Sequence, residues 1–551
     1  MSLMHRRDFL KSGAAATALA TIAATPRPLL AQLGGARAEP VPPSDDPRLK
    51  ELTARALDAA RAAGAVYADV RLTHSWTRSW NGANPAAIDP FGAEVLHVGV
   101  RALAEGQWGF ACSPVWSPDE MARLGREAVF QATANAIGQR EQLELAPAAA
   151  VPDGRWVMPV AADPFELSPF EMTDLLTGIL LFTLRQPGCT DVRKFMISLH
   201  RQEKTFASTD GSYITQRTHR TSGDLVMAVR FGDKRGLASL GCLTPAGLGF
   251  ELFAADRIPG VRDASLREMV VRALEEARED LSLPVKPPAV GRYEAVLDAR
   301  SVANLVHATL GPATELDRAL GYEANAGGAS YLNDPFAMLG SYRVGAPSLT
   351  LTAERSQPGG CATVRWDDDG VPPDRFTLVK DGVLMDFQTT RESAGWMKEY
   401  YAKTARPYRS HGCAAAPSAV AAPLQRAPNL TLAAGGESAD FDGLVSGVSS
   451  GIAIRGLRAD MDFQHLNGLG MGRIYEIREG KRVALIAGSA GVLFRASELW
   501  KGLQALGGVA SAERFGMSAG KGEPNEMHFT SVTAPSAMFG PLTLIDALRR
   551  A

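Results

Sequence analysis

Nine histidines and five cysteines are the side chains of this 551-residue chain best able to ligate a transition metal. Neither set is spaced as metal ligands are. Cys112, Cys189, Cys242, Cys361 and Cys413 contain no C-x-x-C pair. They read as buried small hydrophobes, with one disulfide open after export and no pairing fixed by sequence. His411-Gly412-Cys413, His465 and His528 are isolated donors that read as ordinary core or surface residues. Asp367-Asp368-Asp369-Gly370 has carboxylates enough for a hard cation, but it lacks the rest of an EF-hand loop and reads as a solvated turn. The glycine/serine run from Ser446 to Gly451 is not a G-x-S-x-G elbow. The glycines between Gly468 and Gly472 lack the following helix that phosphate binding requires.

The elements that would position these groups alternate between helix and strand. Residues 49–65 have apolar side chains at helical spacing and stop at Gly64. Strands are predicted over 67–72, 95–104 and 108–112, with a turn at Glu105-Gly106. Ser117 caps a helix that reaches about residue 134, with Pro118 suited to its first turn. An Ala/Pro-rich linker covers 141–160, and a helix is expected over 168–184. Short strands follow over 194–201, 205–208, 213–220 and 224–231, with turns at Thr209-Asp210-Gly211 and Ser222-Gly223. An amphipathic helix fills 265–281. Beyond a Pro-rich break at 284–288 come a strand at 292–298, a helix at 301–310, and then mostly strands, including a hairpin turned at Lys380-Asp381-Gly382.

The N-terminus carries an address. Arg6-Arg7-Asp8-Phe9-Leu10-Lys11 precedes a weakly apolar run over 12–25 and a small-x-small site at Ala36-Arg37-Ala38. This is a twin-arginine signal, too short to span a bilayer as a stable anchor. It predicts export in the folded state to the periplasm. Five basic residues against Asp8 give the first 38 residues a charge of +4, so the remainder of a chain of net −2 carries −6. That balance gives no electrostatic case for nucleic acid or anionic membrane.

Tyr67-Ala68-Asp69-Val70, Gly99-Val100-Arg101, Trp108-Gly109-Phe110, Ser208-Thr209-Asp210-Gly211, the helix at 302–310, Asp367–Gly370, the hairpin at 379–386 and Gly468–Gly472 occur in the order found in TldD/PmbA proteins. The mature chain, 39–551, resembles that family. The resemblance implies an α+β fold: an N-terminal α+β domain over 39–140, a middle α+β domain over 150–285 and a β-rich C-terminal domain over 291–551 with long antiparallel sheets, after a signal peptide over 1–38. It also implies zinc-peptidase chemistry on unfolded or flexible peptides, in one of two paired subunits.

In the peptidase subunit the family helix carries H-E-x-x-G-H-x-x-E-x-D, and a later cysteine completes the zinc site. Here His307, Gly311, Glu315 and Asp317 keep that pattern, but Ala308 stands at the base position and Pro312 at the second histidine. The cysteine position falls on Ser518 or Ala519. Alanine accepts no proton, proline has no donor atom, and a catalytic zinc usually takes three protein ligands. Proline also lacks a backbone N–H, so Gly311-Pro312 is expected to end the helix. The expectation is a protein with no catalytic residue at these positions and no assured cofactor, which binds extended or unfolded peptide. It would act as a homodimer, or as a heterodimer with a TldD/PmbA relative. The alternative is an active zinc peptidase rebuilt on His307 with Glu315, His465 or His528.

Overall fold

Helix starts follow the expected signals. The computed structural model describes residues 46–83, 88–139, 142–161, 163–240, 245–249, 252, 266–436 and 438–547. The signal segment and Cys242 lie outside them. Helix α1 (Pro47–Ala62) buries Leu52, Ala56, Leu57 and Ala60 along one face. Strands β1 (Tyr67–Gly82), β2 (Asp89–Ala104) and β3 (Gln107–Ser113) form an antiparallel meander. In α2 (Pro118–Ala136) the Ser117 side chain accepts the Glu120 N–H, and the helix lies so close to β3 that a Cβ at Gly109 would stand 1.9 Å from the Ala128 carbonyl oxygen.

After β4 (Gly154–Val157) and α3 (Pro169–Leu184), which opens with a capping box between Ser168 and Glu171, come the longest strands. These are β5 (Cys189–Ser208) and β6 (Tyr213–Phe231), followed by β7 (Lys234–Ser239). The breaks expected inside β5 and at Ser222-Gly223 are absent. Ser222 pairs with Ser198, and Gly223 with Ile197. Cross-strand hydrogen bonds supply what a local turn would have supplied, and the buried alternation of Leu225, Met227 and Val229 continues past the glycine. β5 pairs antiparallel with β1 along its length, so one seven-stranded sheet, ordered β3-β2-β1-β5-β6-β4 with β7 against β6, serves both the N-terminal and the middle divisions. Helix α4 (Leu266–Ser282) packs with α3 in the core of its second half.

The C-terminal half holds β8 (Val285–Lys286), β9 (Gly291–Leu297), helix α5 (Ala299–Leu305), β10 (Leu351–Glu354), β11 (Phe376–Lys380), β12 (Val383–Leu384), the pair β13 (Ala414–Ala415) and β14 (Leu424–Gln425), and β15 (Asn429–Leu432). It continues with β16 (Ser450–Met461), β17 (Asn467–Arg478), β18 (Lys481–Ile486), β19 (Ala490–Arg495), β20 (Leu503–Leu506), β21 (Glu513–Lys521), β22 (Glu526–Ala534) and β23 (Ala537–Asp546). Two mostly antiparallel sheets result. One runs β16-β9-β23-β19-β17-β18-β8, and the other β12-β11-β10-β15-β22-β21. Helix α5 lies between them, against β9 and β16 on one side and β21 and β22 on the other. Its Val302, Ala303 and Leu305 are at most 1% exposed. The protein is thus α+β with a β-rich C-terminal half. Among the described residues no helix is long and apolar enough to cross a membrane.

The solvated turn expected at 367–370 is a buried junction. Asp369 accepts from Arg101 at 2.7 Å, and Arg101 also holds Asp69 at 2.7 Å. Asp368 pairs with Lys204 at 2.5 Å, and Asp367 accepts the N–H groups of Asp369, Val371 and Ala414. The cations come from the first sheet, so the position a hard ion could have taken is filled by guanidinium and ammonium. Nearby, Arg71 donates to the Ala421 carbonyl, and the Ala419 carbonyl sits where a Cβ on Gly99 would stand.

Candidate functional site

The motif helix does not stop at Gly311-Pro312. α5 passes into a π turn over Val306–Leu310, in which the Gly311 N–H donates to the Val306 carbonyl, and helical structure continues through Gly311–Ala313. Proline costs a helix interior about 3 kcal/mol, largely through its missing donor and a clash one turn back. A π turn loosens that turn, and side chains take up carbonyls there. The His465 ring hydrogen-bonds the Ala308 carbonyl, which Pro312 cannot reach as a donor. Thr309 and Thr314 hydroxyls donate back to Leu305 and Leu310, and Gln388 Nε2 donates to Gly311.

His307 leaves the same turn toward β21. Its ring hydrogen-bonds the backbone carbonyl of Ser518, while the Ser518 side chain is exposed to solvent. The other ring nitrogen, Nδ1, is shielded from solvent and without a partner, and Nδ1 of His465 is in the same state. Burial holds both imidazoles below their ordinary value, so both are neutral near pH 7. His307 and His465 lie within electrostatic reach of each other and of Glu315.

Glu315 and Asp317 are engaged by protein cations. Lys521 Nζ stands 2.9 Å from Glu315 and 2.7 Å from Asp317, and it also donates to the Gln425 carbonyl. Arg318 adds a second contact to Glu315 at 3.2 Å. All four side chains are buried. Burial opposes the charge on Glu315, but Lys521 and Arg318 hold it below the usual carboxylate range, whereas burial prevails at Asp317 and raises it.

The structure therefore brings His307, Ala308, Glu315, His465 and the Ser518 backbone into one neighbourhood. It takes His528 elsewhere, into a cavity lined by arginines, where its ring hydrogen-bonds the Ala427 carbonyl. His411 is clamped by Asp374 at 3.1 Å and Asp386 at 3.3 Å and stacks on Phe376. Cys413 is buried, its thiol pushed up to about 12. Among the described residues no three His, Cys, Asp or Glu side chains are grouped to hold a metal. A catalytic zinc does not fit the donors present: His307 keeps one free ring nitrogen, Ala308 and Pro312 offer none, and Glu315 is held by Lys521 and Arg318. Sequence reading missed Lys521 and Arg318 as the partners of the motif carboxylates. The signal was a lysine between two glycines, Gly520 and Gly522, in the segment aligned with the family's cysteine.

Residues 290–545 match the family described as PmbA/TldA metallopeptidase C-terminal domain, and residues 3–23 match the twin-arginine translocation pathway signal sequence. A metalloprotease of Methanocaldococcus jannaschii is 23% identical over 54% of this chain, a stretch that covers 60% of that relative's length. A metalloprotease of Synechocystis is 26% identical over 69% of this chain and 74% of its own. Two solved structures share the fold over 90% of this chain. One is a Thermotoga maritima protein named as a candidate modulator of a DNA gyrase (TM-score 0.66, 17% identity, all of that chain), and the other is TldE of Thermococcus kodakarensis (0.64, 13%, 99% of that chain). On the C-terminal match, the relatives and the shared fold together, the chain belongs to the PmbA/TldD family and is a metallopeptidase-like protein with a twin-arginine signal.

Proposed function

We propose that this chain is a periplasmic, non-metal member of the family that binds extended or unfolded peptide, as a homodimer or beside a metal-bearing TldD/PmbA relative. One observation carries the reading: Ala308 and Pro312 supply no donor where the family has its base and second histidine, and the neighbouring Glu315 and Asp317 are taken up by Lys521. The scaffold around them is intact. β21 is an edge strand of its sheet, and its Ser518–Gly520 stretch is exposed beside the motif helix, which suits pairing with an extended peptide. Export rests on the signal match; lysines at Arg6 and Arg7 are expected to keep the precursor inside the cell, as read by fractionation.

The test uses mature protein and a fluorescent unfolded peptide. Saturable binding, with the peptide intact by mass spectrometry, is the expected result. Cleavage that disappears in His307→Ala would sink the proposal. It would favour a second reading, an active zinc peptidase rebuilt on His307 and His465. That reading is supported by the two neutral imidazoles within reach of each other, each with an unpartnered ring nitrogen.

A further inference from the structure

A cavity of about 110 Å³ lies between strands β5 and β6 of the first sheet and β22 with the 361–368 and 415–417 segments of the C-terminal half. It does not include His307 or its neighbours, and its charges do not balance. Of the cations on its wall, Lys204 is neutralised by Asp368 at 2.5 Å. Asp367 is satisfied by three backbone N–H groups. Arg220 and Arg355 remain, and among the described residues neither has a carboxylate within 4 Å.

Arg355 is 3% exposed; it donates to the Gly412 and Ala414 carbonyls, and its Nε has no partner. Arg220 stacks on the Phe529 ring, its guanidinium 3.8 Å from the centroid. His528 lines the same space, with Nε2 shielded from solvent and unpartnered. Burying a guanidinium without a counter-charge is costly unless an anion accompanies it. Two guanidinium groups around a space this size match the several acceptor oxygens of a small oxyanion.

We propose that this cavity is a binding site for a small oxyanion, a carboxylate or a phosphate group, held by Arg220 and Arg355. The site stands independently of the peptide reading above.

Calorimetric titration of the mature protein with inorganic phosphate, and separately with acetate and with a short peptide in its free-acid and amidated forms, tests it against sodium chloride at matched ionic strength. Saturable binding of at least one oxyanion is expected, weakened roughly tenfold or more in Arg220→Met, as loss of a charge-assisted hydrogen bond predicts. Phosphate alone would assign a phosphate ligand. Acetate with the free-acid peptide, but not its amide, would assign a carboxylate. Arg355→Met serves as the second variant should Arg220→Met fail to fold, and it too is expected to weaken binding. Binding no stronger than chloride, or unchanged binding in both variants, would overturn the proposal.

Discussion

The aspartate triplet at 367–369 and the motif helix with its following residues, 299–317, both carry carboxylates able to hold a cation, and the structure gives both cations of the protein's own. They are filled differently. The triplet is fully spent: Arg101, Lys204 and five backbone N–H groups account for its carboxylates and lock the C-terminal half onto the first sheet. The motif region is spent only on its carboxylate side, by Lys521 and Arg318, while His307 and His465 each keep a ring nitrogen without a partner. The contrast teaches that a charged cluster is defined by what arrives from distant strands. The first region is a clamp; the second is a clamp with two imidazoles left over.

Breaking the first clamp is expected to cost most. Arg101→Met leaves Asp69 and Asp369 buried without their shared cation, which should lower stability by about 3–5 kcal/mol in urea unfolding. Lys521→Met applies the same logic to Glu315 and Asp317, at about 3 kcal/mol. Adding Asp317→Asn should return part of that loss, since one stranded carboxylate is gone. If the double variant is no more stable than Lys521→Met, the lysine is not acting as the counter-charge.

His411 is a third case, an imidazolium serving as the cation. Burial opposes the charge, but hydrogen bonds from the ring to Asp374 and Asp386, and the charge on both carboxylates, raise it to about 9. A histidine raised on folding contributes stability that is full below its unfolded value near 6.5 and lost as pH climbs through 9. Urea unfolding is expected to show a loss of about 2–3 kcal/mol between pH 6 and pH 10 that is missing in His411→Gln. The smallest effect belongs to the exchange of donors at the Ala308 carbonyl, His465 in place of the N–H that Pro312 lacks. His465→Ala should cost about 1 kcal/mol, and less in a Pro312→Ala background, where a backbone N–H replaces the lost imidazole donor. Strict additivity of the two changes would remove the exchange from the account.

Much of this was legible in the sequence because it is local. Ser117 and Ser168 signal their helices, the Asp381-Gly382 pair signals its hairpin, and the spacing of His307, Gly311, Glu315 and Asp317 sets the motif register. What stayed hidden is non-local. Asp369 reads as exposed until Arg101 arrives from 268 residues away, and Asp368 until Lys204 does so from 164. Pro312 reads as a stop because sequence shows the missing donor but not the histidine that bonds the Ala308 carbonyl. Ser222-Gly223 reads as a turn because the pairing of β5 with β6 is invisible in either strand alone.

With Ala308 and Pro312 in place of donors and Glu315 held by Lys521 and Arg318, too few free ligands remain around His307 to hold a metal. Elemental analysis of purified mature protein, compared with His307→Ala, tests it most directly. Zinc far below one equivalent is expected in both. A full equivalent in the parent chain that vanishes with the histidine would contradict it.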